Sequence, residues 1–242
     1  MGDLIMRYLL GIATAISLTG SALAADLPVY SKAPAPFWSW TGCYVGLNVG
    51  MGWSKIGNAD GAGNSLDIAN GSGAAGGGQV GCDYQFSKSW VVGVQGMFEA
   101  TKFEGNATDP TGAVFINSKI PWTSTVTGRL GYAIEPITLL YFKGGAAFTR
   151  DQLKVFDNTV APMAQLAILT DSRTGWTIGA GIEHKFWGPI TAFVEYDYMQ
   201  FGTNTLPTTA LGGLGFAPGI KASDTVHEVL FGVNLHFGGA KY

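Results

Sequence analysis

From Cys43 to Trp53 every second residue is apolar or aromatic. Cys43, Val45, Leu47, Val49, Met51 and Trp53 alternate with Tyr44, Gly46, Asn48, Gly50 and Gly52. Alternation with period two is the mark of a β-strand whose two faces meet different surroundings. The pattern recurs and predicts eight strands, over 41–53, 76–86, 90–101, 120–133, 138–149, 173–186, 190–201 and 225–237. Short connectors (Ser87-Lys88-Ser89, Ile134 to Ile137, Trp187-Gly188-Pro189) take turns with long ones over 54–75, 102–119, 150–172 and 202–224, which are rich in Gly, Asn, Asp, Thr and Ser.

Sorting each strand by parity separates two columns. One holds Trp90, Val92, Val94 and Phe98; Ile120, Trp122, Val126 and Leu130; Leu140, Phe142 and Phe148; Trp176, Ile178, Ile182 and Phe186; and Val229, Phe231, Val233, Leu235 and Phe237. The other is small and polar, with Gln79 and Asp83, Gln95 and Glu99, Thr123, Thr125, Thr127 and Arg129, Lys143, Glu183, Glu195 and Asp197, and Glu228, Asn234 and His236. The polar column is too small to accompany an apolar core and too weakly charged to form a water-facing exterior. The apolar column is therefore assigned to lipid and the polar column to a lumen. Met97, Phe193, Met199 and Leu230 depart from this, facing in by parity and filling space near the rims. Trp53, Trp90, Trp122, Trp176, Trp187 and Phe237 sit at strand ends, as the aromatic girdles of a membrane barrel do.

Composition sharpens this picture. Hydrophobic residues make up 47% of the 242, and charged residues only 13%, about half the share of a soluble domain. The net charge of −3, with no clustered basic stripe, argues against nucleic acid as a partner. Residues 1–24 read as a secretory signal peptide, with Arg7, an apolar run from Tyr8 to about Leu18, and a cut before Ala25; Met6-Arg7 offers a second start with a cleaner positive region. That run is too short to span a bilayer, which takes roughly 20 residues. Residues 25–39 are Pro-rich and predict an extended periplasmic lead-in rather than a strand, and 40–242 the barrel domain. After the leader no apolar run suits a transmembrane helix, so a membrane form must be a closed barrel. The expected fold is all-β: an eight-stranded antiparallel transmembrane β-barrel with short periplasmic turns and long extracellular loops, placed in the outer-membrane lipid of a Gram-negative envelope.

The ordered segments ADLPVYSKAPAP, WTGCYVG (40–46), GGGQVGCDYQF (76–86), TGRLGYA (127–133), KGGAAF (143–148), TGWTIGAGIEHKF (174–186), VEYDY (194–198) and FGVNLHF (231–237) resemble the small outer-membrane immunogenic, porin-like barrel proteins of alphaproteobacteria. The resemblance implies an eight-stranded outer-membrane barrel. Members are mostly surface structural and antigenic proteins, some proposed as porins or ligand binders, and no catalytic residues come with it. Cys43 and Cys82 stand where aromatics are more usual, and GGAKY follows Phe237, where such chains usually end on the aromatic. Phe237 and Tyr242 are the candidates for the signal read by the barrel-assembly machinery.

Three sets of residues invite a site reading. Cys43 and Cys82 share the outward parity of the first two strands, and pairing them also sets Val45 against Val80 and Leu47 against Gly78. They read as a disulfide in the oxidising periplasm or as two lipid-facing thiols. Arg129, Lys143, Glu183 and Glu195 face inward at similar depth and predict a lumenal ion-pair network, either a plug or the gate of a narrow channel. Ser223, Asp224 and His227 lie at the extracellular rim, but a shared strand start does not make a triad, and His184, His227 and His236 lack metal-ligand spacing. The runs Gly76-Gly77-Gly78, Gly144-Gly145 and Gly212-Gly213 lack the Gly-Lys-Ser/Thr ending of a phosphate loop. No catalytic residue, metal or cofactor is expected. The chain reads as a structural, surface-exposed outer-membrane barrel, with a narrow porin for small solutes or ions, and a loop-based adhesin or ligand binder, as the alternatives.

Overall fold

The computed structural model describes residues 37–59, 65–108, 114–157, 159–160, 164–205, 221–238 and 240–241. The leader over 1–24, its cut before Ala25, the lead-in as far as Pro36, Gly212-Gly213 and Tyr242 lie outside the described residues. Among the described residues ten strands follow in order: β1 (Phe37–Trp38), β2 (Gly42–Ala59), β3 (Ser65–Gln85), β4 (Trp90–Thr108), β5 (Val114–Glu135), β6 (Thr138–Asp157), β7 (Ala164–Trp187), β8 (Ile190–Thr205), β9 (Lys221–Phe237) and β10 (Ala240–Lys241). Strands β2 to β9 close into an eight-stranded antiparallel barrel in chain order, with β2 pairing β9.

At one end of the barrel the strands turn where the alternation predicts. The turn after β7 uses Gly188 in the left-handed region, at φ +55°, ahead of Pro189. At the other end the ladders run well past the expected strand ends. The β2–β3 ladder continues to Ala59 opposite Ser65, β5–β6 to Val114 opposite Asp157, and β6–β7 to Asp157 opposite Ala164. Much of 54–75, 102–119 and 150–172, expected as loop, is therefore strand, and 202–224 contributes strand up to Thr205 and from Lys221. Period-two alternation reports a contrast between two environments. Beyond the aromatic girdle the outward face no longer meets lipid, so the backbone ladder persists after the hydrophobic signature has stopped. At the tip of β6 the Asp157 carboxylate accepts the Thr159 amide (2.8 Å) and hydroxyl (2.6 Å), which hold it below the usual carboxylate range.

Two further expectations are corrected. Phe37 and Trp38, assigned to an extended lead-in, pair with Lys241 and Ala240 as a second, two-stranded sheet. The proline run ends at Pro36, so amide donors become available there. Gly238, at φ +102°, breaks the chain away from β9 and frees the tail as a partner. Ile120, assigned to the lipid face, is buried. The ladders on both sides of β5 slip around Pro121, between Ala100 and Phe103 on one side and between Lys119 and Thr123 on the other. Proline cannot donate to a ladder, and a bulge at that point turns the next residue to the opposite face.

Elsewhere the two columns hold. Leu47, Val49 and Met51 are 69, 66 and 65% exposed, while Gln79, Thr123 and Glu183 are buried. Large inward side chains lie across the ladder from glycines: Tyr44 opposite Gly81, Tyr141 opposite Gly181, Phe193 opposite Gly232. A Cβ on Gly181 would strike the Tyr141 ring and the Val194 carbonyl. Gly181→Val is expected to cost about 1–3 kcal/mol through overpacking, read as a lower urea midpoint for the folded, heat-modifiable form. An unchanged midpoint would mean that the ring has room to move aside.

Candidate functional site

Among the described residues the lumen gathers most of the buried charged side chains, and it is layered. At the short-turn end, Trp40 is fully buried with Val91, Ala133, Leu139 and Tyr141, and Trp38 packs against them. The Trp40 amide donates to Gln85 Oε1 at 3.0 Å, and the Gln85 amide donates to Thr41 Oγ1 at 3.0 Å, which fastens this segment across the barrel mouth. Trp38 meets Trp40 edge-on at 5.7 Å and His236 at 5.5 Å, and Lys185 Nζ lies 4.9 Å over its ring.

Above this cap stand two charged nodes. Arg129 pairs with Glu183, donates to Tyr44 Oη at 2.9 Å, lies 3.7 Å from Asp83, and sits 3.9 Å over the Tyr141 ring. Glu183 also accepts from Thr191 Oγ1 (2.5 Å) and Asn234 Nδ2 (2.8 Å), with His236 Nε2 at 3.0 Å. Asn48 donates to Gln79, which donates to Asn234, extending the chain of hydrogen bonds from β2 to β9. In the second node Lys143 contacts Glu195 at 2.5 Å and Asp197 at 2.9 Å, and Tyr141 donates to Glu195 at 2.7 Å. Tyr141 thus links the nodes, its ring under Arg129 and its hydroxyl on Glu195. Glu99 and Glu228 lie beyond, each within 3.5 Å of Thr123 Oγ1. Buried charges of this kind need partners that satisfy them, and here the partners come from strands all round the barrel.

A second apolar cluster, formed by Ala75, Met97, Phe103, Ile120, Ala147, Met199, Phe201, Val226 and Leu230, interleaves with Glu99 and Glu228 and runs from the level of Glu195 toward the long-hairpin end. Beyond it Arg173 Nε lies 2.7 Å from Asp151.

Of the residues singled out from sequence, Arg129, Lys143, Glu183 and Glu195 are all buried and meet as two pairs joined by Tyr141. Asp83, Asp197, Tyr44, Tyr141 and His236 were not singled out, yet complete those nodes. A rule of register finds three of the contacts. Arg129 and Asp83 both lie opposite Gly93, Lys143 and Asp197 both opposite Gly179, and Tyr141 and Glu195 both opposite Gly181. Each partner reaches over an inward glycine to the next strand but one.

Cys43 lies opposite Cys82, Val45 opposite Val80 and Leu47 opposite Gly78, and the two sulfurs are joined as a disulfide on the outward face. Trp53, Trp122 and Trp176 sit toward the long-hairpin end, with Trp122 stacked on Phe98 and Trp176 against Tyr198. Trp90, Trp187 and Phe237 are exposed at the short-turn end. The three histidines are apart. His184 faces out, 2.9 Å from Thr138 Oγ1; His236 is in the lumen; His227 stacks on Trp53 and lies 2.7 Å from Tyr196 Oη. The side chains of Ser223 and Asp224 lie outside the described residues. Among the described residues no group of three or more His, Cys, Asp or Glu is arranged to hold a metal ion.

Residues 12–237 match the family model described as outer membrane protein beta-barrel domain. The 31 kDa outer-membrane immunogenic protein of Brucella melitensis is 28% identical over 249 residues, spanning 96% of this chain and all of that one. An uncharacterized protein of Coxiella burnetii is 31% identical over 69% of this chain and 70% of its own. Among solved structures, the outer membrane protein OprG of Pseudomonas aeruginosa is similar in fold over 83% of this chain and 99% of that one, at 11% identity and a TM-score of 0.48.

Proposed function

Since the chain belongs to the outer-membrane β-barrel domain family and is an outer-membrane protein, we propose that its role there is structural and surface-exposed, without catalysis and without a conducting pore. The observation that supports this reading is how side chains fill the lumen. Charged nodes tie β2, β3, β5, β6, β7, β8 and β9 together, and buried apolar side chains pack beside them. An eight-stranded barrel has room for side chains and little else. Ion pairs placed so serve as internal cross-struts, and the long hairpins remain for presentation at the cell surface. The names of the Brucella relatives, outer-membrane immunogenic proteins, support the surface part of the proposal.

Planar-bilayer recording and liposome swelling with the refolded protein test it. The expected result is no stepwise current, and swelling no faster than with lipid alone. Solute flux above lipid alone would overturn the structural reading and favour a narrow porin. Binding of the intact barrel to host cells would favour the adhesin.

A further inference from the structure

The barrel opens along two seams as its strands climb toward the long hairpins. Between β7 and β8 the highest pair is Gly175 opposite Phe201, and between β3 and β4 it is Ser72 opposite Glu104. The other ladders run further. Thr108 lies opposite Phe115, Val114 opposite Asp157, Asp157 opposite Ala164, Thr205 opposite Lys221, Lys221 opposite Ala59 and Ala59 opposite Ser65. Among the described residues the long-hairpin end is therefore two separate sheets, one of β4, β5, β6 and β7 and one of β8, β9, β2 and β3, with an open edge on either side of each seam.

Open edges invite an added strand, and proteins blunt them by keeping them short or by placing charges and bulges on them. Three of these edges are blunted. Beyond the seams β4 and β8 extend only over 105–108 and 202–205. The β3 edge, over 65–71, carries Asp67 and a register shift beside it, between Ile56 and Gly57. The β7 edge, over 164–174, is the longest and has no Pro, Gly or Lys. Its ladder with β6 is unbroken from Ala167 opposite Val155 down to His184 opposite Thr138.

The Lys185 amide donates to the Ile137 carbonyl at 2.8 Å. In an unbroken antiparallel ladder, odd-numbered residues of β7 then turn their backbone groups toward β6, and even-numbered ones turn theirs away from it. Above the seam the N–H and C=O groups of Ile168, Thr170 and Ser172 face the open side. Their side chains, with that of Thr174, are exposed and uncharged, Ile168 at 53%. The charges of this stretch alternate onto the inward face, where Arg173 is buried with its Nε 2.7 Å from Asp151.

We propose that the 167–174 edge of β7 binds an extended, uncharged segment of another protein as an added antiparallel strand. The backbone groups of Ile168, Thr170 and Ser172 pair with it, and its β-branched residues lie beside Thr170 and Ser172. The added strand takes the antiparallel place that β8 leaves at Phe201. A second copy of this chain fits worse. A twofold axis along the membrane normal pairs like edges in parallel, and it sets the uncharged outward face of one copy beside the Asp171 and Arg173 face of the other. The assignment stands whether or not the lumen conducts.

The test uses the refolded full chain in detergent micelles and a labelled, end-capped peptide of sequence Thr-Val-Thr-Ile-Thr-Val-Thr, with binding read as fluorescence anisotropy. The control peptide is N-methylated at its three central amides, which blocks both of its edges. Thr170→Pro removes an N–H that faces the open side and leaves the β6 ladder intact, and Thr170→Val keeps that N–H. The parent and Thr170→Val are expected to bind the plain peptide about tenfold more tightly than the methylated one, and Thr170→Pro to bind it about tenfold more weakly than the parent, with heat-modifiable mobility as the check on folding. No binding by the parent, equal binding of the two peptides, or parent-like binding by a folded Thr170→Pro overturns the proposal. Should Thr170→Pro fail to fold, the two peptides on the parent decide. A parent that is dimeric in micelles, with the dimer broken by the peptide and by Thr170→Pro, overturns the choice of occupant and gives the edge to a second copy.

Discussion

Arg129→Met is expected to lose about 3–5 kcal/mol of stability, because it leaves Glu183 and Asp83 buried without their cation. The urea midpoint of the heat-modifiable form, measured in detergent micelles, should fall accordingly. Adding Glu183→Gln in the same chain should recover part of the loss. The amide no longer carries an uncompensated charge and still meets Thr191, Asn234 and His236. Arg129→Lys should fall between the two, since one ammonium cannot reproduce a planar fork that reaches Glu183 and Tyr44 while sitting 3.9 Å over the Tyr141 ring. A parent-like midpoint for Arg129→Met would show that the other donors to Glu183 suffice, and the cross-strut account of the lumen would fail.

The second large effect concerns the first hairpin of the barrel. The Cys43–Cys82 bridge closes a separation of 39 residues. In the chain-entropy account a loop of that size contributes roughly 3–4 kcal/mol. Cys43→Ala/Cys82→Ala should lower the midpoint by that order without reductant, and full reduction of the parent should abolish the difference. Intact mass of the unreduced parent, compared with the reduced chain, checks the premise. A native protein that retains two free thiols refutes the bridge, and its two cysteines would then act as small apolar residues facing lipid.

The faces of the barrel were legible because lipid and lumen differ sharply and the residues follow that contrast. Leu47, Val49 and Met51 point one way, while Gln79, Thr123 and Glu183 point the other. The pairing of Cys43 with Cys82 followed from the same parity, since a hairpin keeps one index sum. Where no contrast exists the pattern is silent, so Lys55 and Asn70 read as loop although they face each other in a ladder. Ile120 was misplaced because one proline moved the register, and parity counted across Pro121 no longer holds. The charged nodes were half legible. Arg129 and Glu183 stand out as inward charges, but Asp83 and Asp197 gain their meaning only from the glycines they reach across, which requires the register of two ladders at once. The β1–β10 sheet was hidden because strands of two residues, Phe37–Trp38 and Ala240–Lys241, are too short to carry a period.

With the long hairpins at the cell surface, as proposed, the ladders that outrun the girdle would also decide what an approaching antibody can read. Opposing residues such as Asn117 and Asn106, whose amides are bonded at 2.7 Å, present one surface drawn from two separate strands. An epitope there is conformational. A linear immunogen copied from either strand reproduces a single edge of it, so sera raised on such peptides would recognise the denatured chain far better than the living cell.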